Sequence, residues 1–323
     1  MDLLANTDAR PQALGATSAT VGAAVWLAAP WLSSGTRLAV ASVEHLFLLM
    51  PLVVAPLALA LVAERTDEGE GAPSLTLASA RRLQPAAAAL LLLSFLLPSG
   101  TAAGILTLPW LGLALLVAAT GVSDVVRRRV RSPGASLIAA RLFLAVGAGW
   151  LLLWRLGTGP RTLSPVTVAI AALHFHFNGF SSQVLFGATG RRLPRTPAWL
   201  HPLHGIATVA AIAGLPVLAV GKALSLPVAR ILGVGATTLA LIALSVTMSA
   251  VALRARSAAT RTLLVAAAAC GAAAAGLASA FGAGELAGQE WISLPTMLAS
   301  HGLLMSLGFT VCGLVGHLRL LRE

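Results

Sequence analysis

The amino-acid sequence predicts an all-α protein, a polytopic bundle of transmembrane helices. Hydrophobic residues make up 57% of the chain and charged residues only 10%, whereas about a quarter of a soluble domain is charged. Mean hydropathy is +0.87, more apolar surface than a water-solvated fold can hide. The apolar runs are long and rich in Ala, Leu, Val and Gly, with 5% aromatics. An outer-membrane barrel would instead need alternating segments of about ten residues and aromatic girdles.

A helical span needs about 20 mostly apolar residues, and ten stretches of the chain are read as spans on that basis. In order they are Leu14–Leu32, Leu38–Ala63, Pro85–Gly100, Ala102–Val122 and Ser136–Leu156, then Val166–Gly187, Leu200–Gly221, Val228–Leu253, Leu263–Ala283 and Thr296–Leu318. The third is short, and Pro98-Ser99-Gly100 after it reads as a tight turn or a re-entrant break. The whole chain, 1–323, is expected to form a single transmembrane domain. It is interrupted by an acidic cytoplasmic linker at about 64–74, read as a flexible loop.

Charge gives the orientation. With both termini cytoplasmic, the inner segments hold 16 arginines: Arg10, Arg65, Arg81, Arg82, Arg127, Arg128, Arg129, Arg131, Arg191, Arg192, Arg195, Arg254, Arg256, Arg261, Arg319 and Arg322. The outer segments hold 5 basic residues, Arg37, Arg155, Arg161, Lys222 and Arg230, and Arg141 lies near the inner end of the fifth span. This is the positive-inside pattern, and it accounts for the net charge of +11 without a nucleic-acid partner. The localisation expected is the bacterial inner membrane. No basic n-region precedes an apolar core at the N-terminus, so no removable signal peptide is expected. Cys270 and Cys312 fall in apolar spans without a Cys-x-x-Cys spacing and read as packing residues.

Against this background one stretch stands out: Leu173-His174-Phe175-His176-Phe177-Asn178-Gly179-Phe180, which puts two imidazoles and an amide inside a span. Ionisable groups in a bilayer are costly and are functional-site candidates. Spans two, six and ten all run from outside to inside. Glu44 and His45 in span two, His174 and His176 in span six and His301 in span ten then fall roughly 8–15 Å below the outer surface at 1.5 Å per residue. His174 and His176 are about 200° apart on a regular helix and face opposite ways unless the helix is distorted, for which Gly179 is a candidate. His174 shares its face with Asn178. Pro51 and Pro56 can kink span two and free backbone carbonyls. Glu290 and Trp291 precede span ten and can close the site from above. His201 and His204, at i and i+3, have a chelating spacing, yet their place beside Arg191, Arg192 and Arg195 favours an interfacial role. His317, near a helix C-terminus, reads as structural.

The run from His174 to Phe180 resembles the His-Phe-His-Tyr-x-Gly-Phe signature of YndJ-like bacterial membrane proteins. Glu44-His45-Leu46-Phe47-Leu48-Leu49-Met50-Pro51 through Pro56-Leu57 is similar to that family's second segment. Met297 to His301-Gly302, followed by Leu307-Gly308-Phe309, is similar to its His-Gly…Gly-Phe segment. Phe177 stands where the family has tyrosine, and Met305 where an asparagine is expected. The resemblance implies the same site residues and a role in specialised metabolism.

The function expected is an intramembrane enzyme that rearranges, isomerises or cyclises a small or lipophilic metabolite. Glu44, His174, His176 and Asn178 are the catalytic candidates. Glu44, His45, His174, His176 and His301 are candidate ligands for a divalent Zn, Fe or Cu ion, since imidazole and carboxylate suit these metals. Membrane lipid and a small-molecule substrate are the partners expected. A proton-coupled transporter and a haem protein with two axial histidines are the alternatives.

Overall fold

A computed structural model describes residues 9–33, 42–63, 75–127 and 134–323. The acidic linker, the basic run from Arg128 to Arg131, and Arg37 and Arg65 lie outside the described residues. Among those residues there are helices and no strands. The helical rods are α1 (Ala9–Ser33), α2 (42–62), α3 (Leu75–Phe95), α4 (Thr101–Arg127), α5 (Gly134–Leu156), α6 (165–190), α7 (Leu200–Ala223), α8 (Pro227–Ala252), α9 (Ala258–Ala287) and α10 (294–320). Seven rods are long and apolar enough to cross a membrane: α2, α4, α5 and α7 to α10, as in a helical membrane protein. In α1 the apolar stretch is shorter, Gly15–Ala29. The third expected span differs most, since α3 starts at Leu75 and runs through Pro85 to Phe95. Arg81 and Arg82 are therefore helical, and Pro98 to Gly100 form the turn into α4.

Three rods are not α-helical throughout. π-Helical turns occupy Met50–Val54 in α2, Phe175–Ser181 in α6 and Leu304–Val311 in α10. These are the rods that carry the Glu44-His45, His174/His176 and His301 motifs. In α2 the cause is readable. Proline lacks an N–H and its ring clashes with the carbonyl four residues back, so Pro51 and Pro56 spoil consecutive turns of the α-ladder. The Ala55 N–H bonds instead to the Met50 carbonyl, five residues back. The same slip would pair the Pro51 carbonyl with Pro56, which has no N–H to give. The buried Gln84 side chain of α3 donates to that carbonyl at 2.6 Å. Replacing Gln84 with leucine is expected to cost about 1–3 kcal/mol, the penalty of a buried orphan acceptor. Thermal unfolding in detergent measures it, with Gln84→Glu as a size control.

The chain divides into two compact units, one of residues 1–127 and 141–176, the other of residues 128–140 and 177–323. In the first, α1 runs antiparallel to α2 at close range. A Cβ on Gly15 would stand 3.0 Å from the Pro56 carbonyl oxygen, and one on Gly22 would overlap the Leu52 carbonyl. Further along, Trp26 Nε1 donates to the His45 carbonyl at 2.8 Å. In the second unit, α7, α8 and α9 form an up-and-down array in which glycines again permit close packing. A Cβ on Gly233 would stand 2.5 Å from the Leu218 backbone nitrogen. Facing α10, Gly271 of α9 receives the Phe309 ring, and Cys270 packs on Gly308.

Candidate functional site

In the first unit Glu44 lies near the start of α2, its side chain 23% exposed. Its partner was not foreseen. Arg155, 1% exposed, donates from Nη1 to Glu44 Oε1 at 3.2 Å. The rest of the guanidinium is spent on the α3–α4 turn. Nε donates to Ser94 Oγ at 3.2 Å, and Nη2 donates to the Ser94 and Leu97 carbonyls at 2.8 and 2.6 Å. Its carbon centre sits 4.6 Å over the Phe95 ring, and the Gly100 N–H returns to the Arg155 carbonyl at 2.8 Å. Gly157, at φ +69, ends α5 in the left-handed conformation that glycine adopts without strain. Arg155 is thus an internal clamp and not the loop charge that the topology count assumed.

His45 stacks on Trp26 with ring centroids 4.4 Å apart and an interplanar angle of 18°. Its Nδ1 is buried and has no hydrogen-bond partner among the described residues.

The two histidines of α6 differ. His176 is fully buried. Its Nδ1 lies 2.8 Å from the Ala172 carbonyl, and Trp110 Nε1 donates to its Nε2 at 3.1 Å. A carbonyl only accepts and an indole N–H only donates, so these contacts fix a neutral imidazole with the proton on Nδ1. The ring meets Phe47 edge-on at 5.0 Å and rests on Gly147, where a Cβ would stand 2.7 Å from Nδ1. His174 is half-buried, and its Nδ1 lies 2.9 Å from the Ile170 carbonyl. That contact puts the proton on Nδ1 and leaves the basic lone pair on Nε2. The opposite facing of the two rings accords with their 200° separation, although His176 lies inside the π-turn.

Asn178 and His301 belong to the second unit. Both are half-buried. His301 Nδ1 lies 3.0 Å from the Ala274 carbonyl of α9, which again assigns the lone pair to Nε2. His204 is buried, with Nε2 3.1 Å from the Phe186 carbonyl and Nδ1 3.3 Å from Thr247 Oγ1. It braces α6, α7 and α8, while His201 is exposed. His317 is fully buried, with Nε2 3.1 Å from Thr189 Oγ1. Trp291 is exposed and donates to Gln289 Oε1 at 2.9 Å.

A family model described as "YndJ-like protein" matches residues 45–309. The chain belongs to the YndJ-like family. The match begins at the His45 of α2 and ends at the Phe309 of α10, so it takes in all three histidine-bearing rods, and Glu44 immediately precedes it. No curated protein and no solved structure matches this YndJ-like chain.

The metal reading can be weighed on the donors. Among the described residues no group of three or more His, Cys, Asp or Glu side chains is disposed to hold an ion. His176 has both ring nitrogens engaged, and the Glu44 carboxylate is tied to Arg155. These residues fit proton transfer at His174 better than they fit ligation.

Proposed function

We propose that this YndJ-like protein is a ten-span enzyme of the bacterial inner membrane with both ends cytoplasmic. Its first unit would carry out acid–base chemistry on a small lipophilic metabolite in specialised biosynthesis. The observation that carries the reading is the tautomer of His174. With Nδ1–H committed to a carbonyl of its own helix, the ring presents a basic Nε2 on a half-buried face, the arrangement a general base requires. Isomerisation, rearrangement or cyclisation needs a proton taken at one atom and returned at another, with no redox co-substrate. His174 Nε2 takes and returns that proton. The Glu44 carboxylate, held ionised by Arg155, stabilises the imidazolium formed in between. His176 keeps α6 in place through Trp110 and Phe47, and Asn178 orients substrate through its amide.

The test is a gene deletion in the native host followed by profiling of lipid-soluble metabolites. An isomerase leaves a precursor of the same mass as the missing product. Complementation with the wild-type gene should restore the product. His174→Gln should restore about 10²–10⁴-fold less turnover, the usual contribution of a general base, with the protein still present in the membrane. Full restoration by His174→Gln would overturn the assignment.

Transport is the second reading, supported by the π-turns in α2, α6 and α10, since interrupted helices are common at transporter binding sites. It predicts no isobaric pair, and flux in liposomes that is lost in Glu44→Gln. Elemental analysis and an absorption spectrum of the purified protein test for Zn, Fe, Cu or haem. One tightly held ion lost with His174 would move the chemistry from proton transfer to metal-assisted catalysis.

A further inference from the structure

At one end of the second unit, α7 finishes, α8 begins and α9 finishes side by side. Each contributes one charged residue to the junction. Lys222 Nζ lies 2.8 Å from both Glu285 carboxylate oxygens, and Arg230 Nη2 lies 3.1 Å from Oε2. The cluster holds two cations and one anion, a surplus of one positive charge, and all three side chains are partly exposed. Below it opens a cleft of about 190 Å³ walled mainly by apolar side chains, among them Leu218, Ile231, Val234 and Leu286. Gly235 lies on the same wall, and a Cβ added there would meet nothing within 4 Å.

A cationic mouth over an apolar cleft, at the shared end of three long apolar helices, is complementary to one class of molecule. We propose that this cleft binds an anionic phospholipid, with the headgroup phosphate on Lys222 and Arg230 and an acyl chain along Leu218, Ile231 and Val234. The inference rests on reading the chain as a membrane protein. Lys222 has a third ammonium hydrogen and Arg230 four further N–H donors beyond those given to Glu285, so both can hold phosphate without releasing the carboxylate. A phosphate alone would use the mouth and not the cleft, whereas a zwitterionic lipid would fill the cleft and gain little from the surplus charge.

The experiment is native mass spectrometry of the full chain extracted from the membrane fraction, delipidated in detergent and titrated with phosphatidylglycerol, phosphatidylcholine or inorganic phosphate. Absence from the membrane fraction would defeat the membrane reading itself. For protein that is present there, a preference for phosphatidylglycerol over phosphatidylcholine of tenfold or more is expected. It should fall at least fivefold in Lys222→Ala/Arg230→Ala and in Gly235→Leu, which fills the cleft and leaves the charges intact. Equal binding of the two lipids, or unchanged phosphatidylglycerol binding in Gly235→Leu, would overturn the proposal. So would inorganic phosphate displacing the lipid at equal concentration, which would mark a phosphate site alone.

Discussion

Replacing Arg155 with methionine should cost the protein about 3–5 kcal/mol, the range seen when one partner of a buried ion pair is removed. The partial exposure of Glu44 places the result towards the lower end for the carboxylate itself. The guanidinium does more, because methionine also orphans the Ser94 and Leu97 carbonyls, in a chain segment that turns between two long helices. The Arg155→Lys variant is an instructive intermediate, since an ammonium can pair with Glu44 but cannot fork to three acceptors. Glu44→Gln combined with Arg155→Met should recover only the ion-pair part of the loss. Scanning fluorimetry in detergent measures all four proteins. A melting temperature for Arg155→Met within a degree of wild type would mean that the clamp contributes nothing.

The second large effect is expected at Gly22. Its Cα lies so close to α2 that a Cβ would overlap the Leu52 carbonyl, a backbone atom that no rotamer change can move. The donor four residues on, Pro56, has no N–H, so Leu52 is one of the carbonyls exposed by the proline-driven π-turn. Close approach of a glycine Cα–H to such an oxygen is a weakly favourable contact. Gly22→Leu must push α1 away from α2, breaking the Trp26 hydrogen bond to the His45 carbonyl and the stacking on the His45 ring. Overpacking alone costs about 1–3 kcal/mol, and the loss of these contacts adds to it. Quenching of Trp26 fluorescence by His45, compared in Gly22→Leu and in a Trp26→Phe control, reports whether the two helices have parted. Unchanged fluorescence and melting would show that α1 packs elsewhere.

Much of the helical organisation is legible in the sequence because a bilayer imposes length and polarity together. The expected limits of the seventh and eighth spans, Leu200–Gly221 and Val228–Leu253, nearly coincide with α7 and α8. The third span was placed too late because Arg81, Arg82 and Pro85 argue against a helix locally, whereas α3 continues through all of them. For the site, Glu44, His174 and His301 were found because imidazole and carboxylate are conspicuous among Ala and Leu. Their partners were not. Arg155 looked like an outer-loop charge since it ends an apolar run, yet a glutamate inside a span calls for a cation at the same depth, and this was the signal. Trp110 carries no such mark, so the distinction between His176, with both nitrogens taken, and His174, with its lone pair on Nε2, needed three dimensions. Pro51 with Pro56, and Gly179, hinted at the irregular turns in α2 and α6, but no proline foreshadows the one in α10.

The π-turn of α2 also sets a rule for how this rod can change. A π-turn spends about one residue more per turn than an α-turn, so removing one residue from Met50–Val54 would let the rod close up as a regular helix. Everything before the turn would then swing by about 100° relative to everything after it. Glu44 would leave Arg155, and His45 would leave Trp26, while Ala55–Val62 kept its present neighbours. The aim of the carboxylate is therefore stored in a count of residues, and length variation at this turn is the least tolerated change in α2.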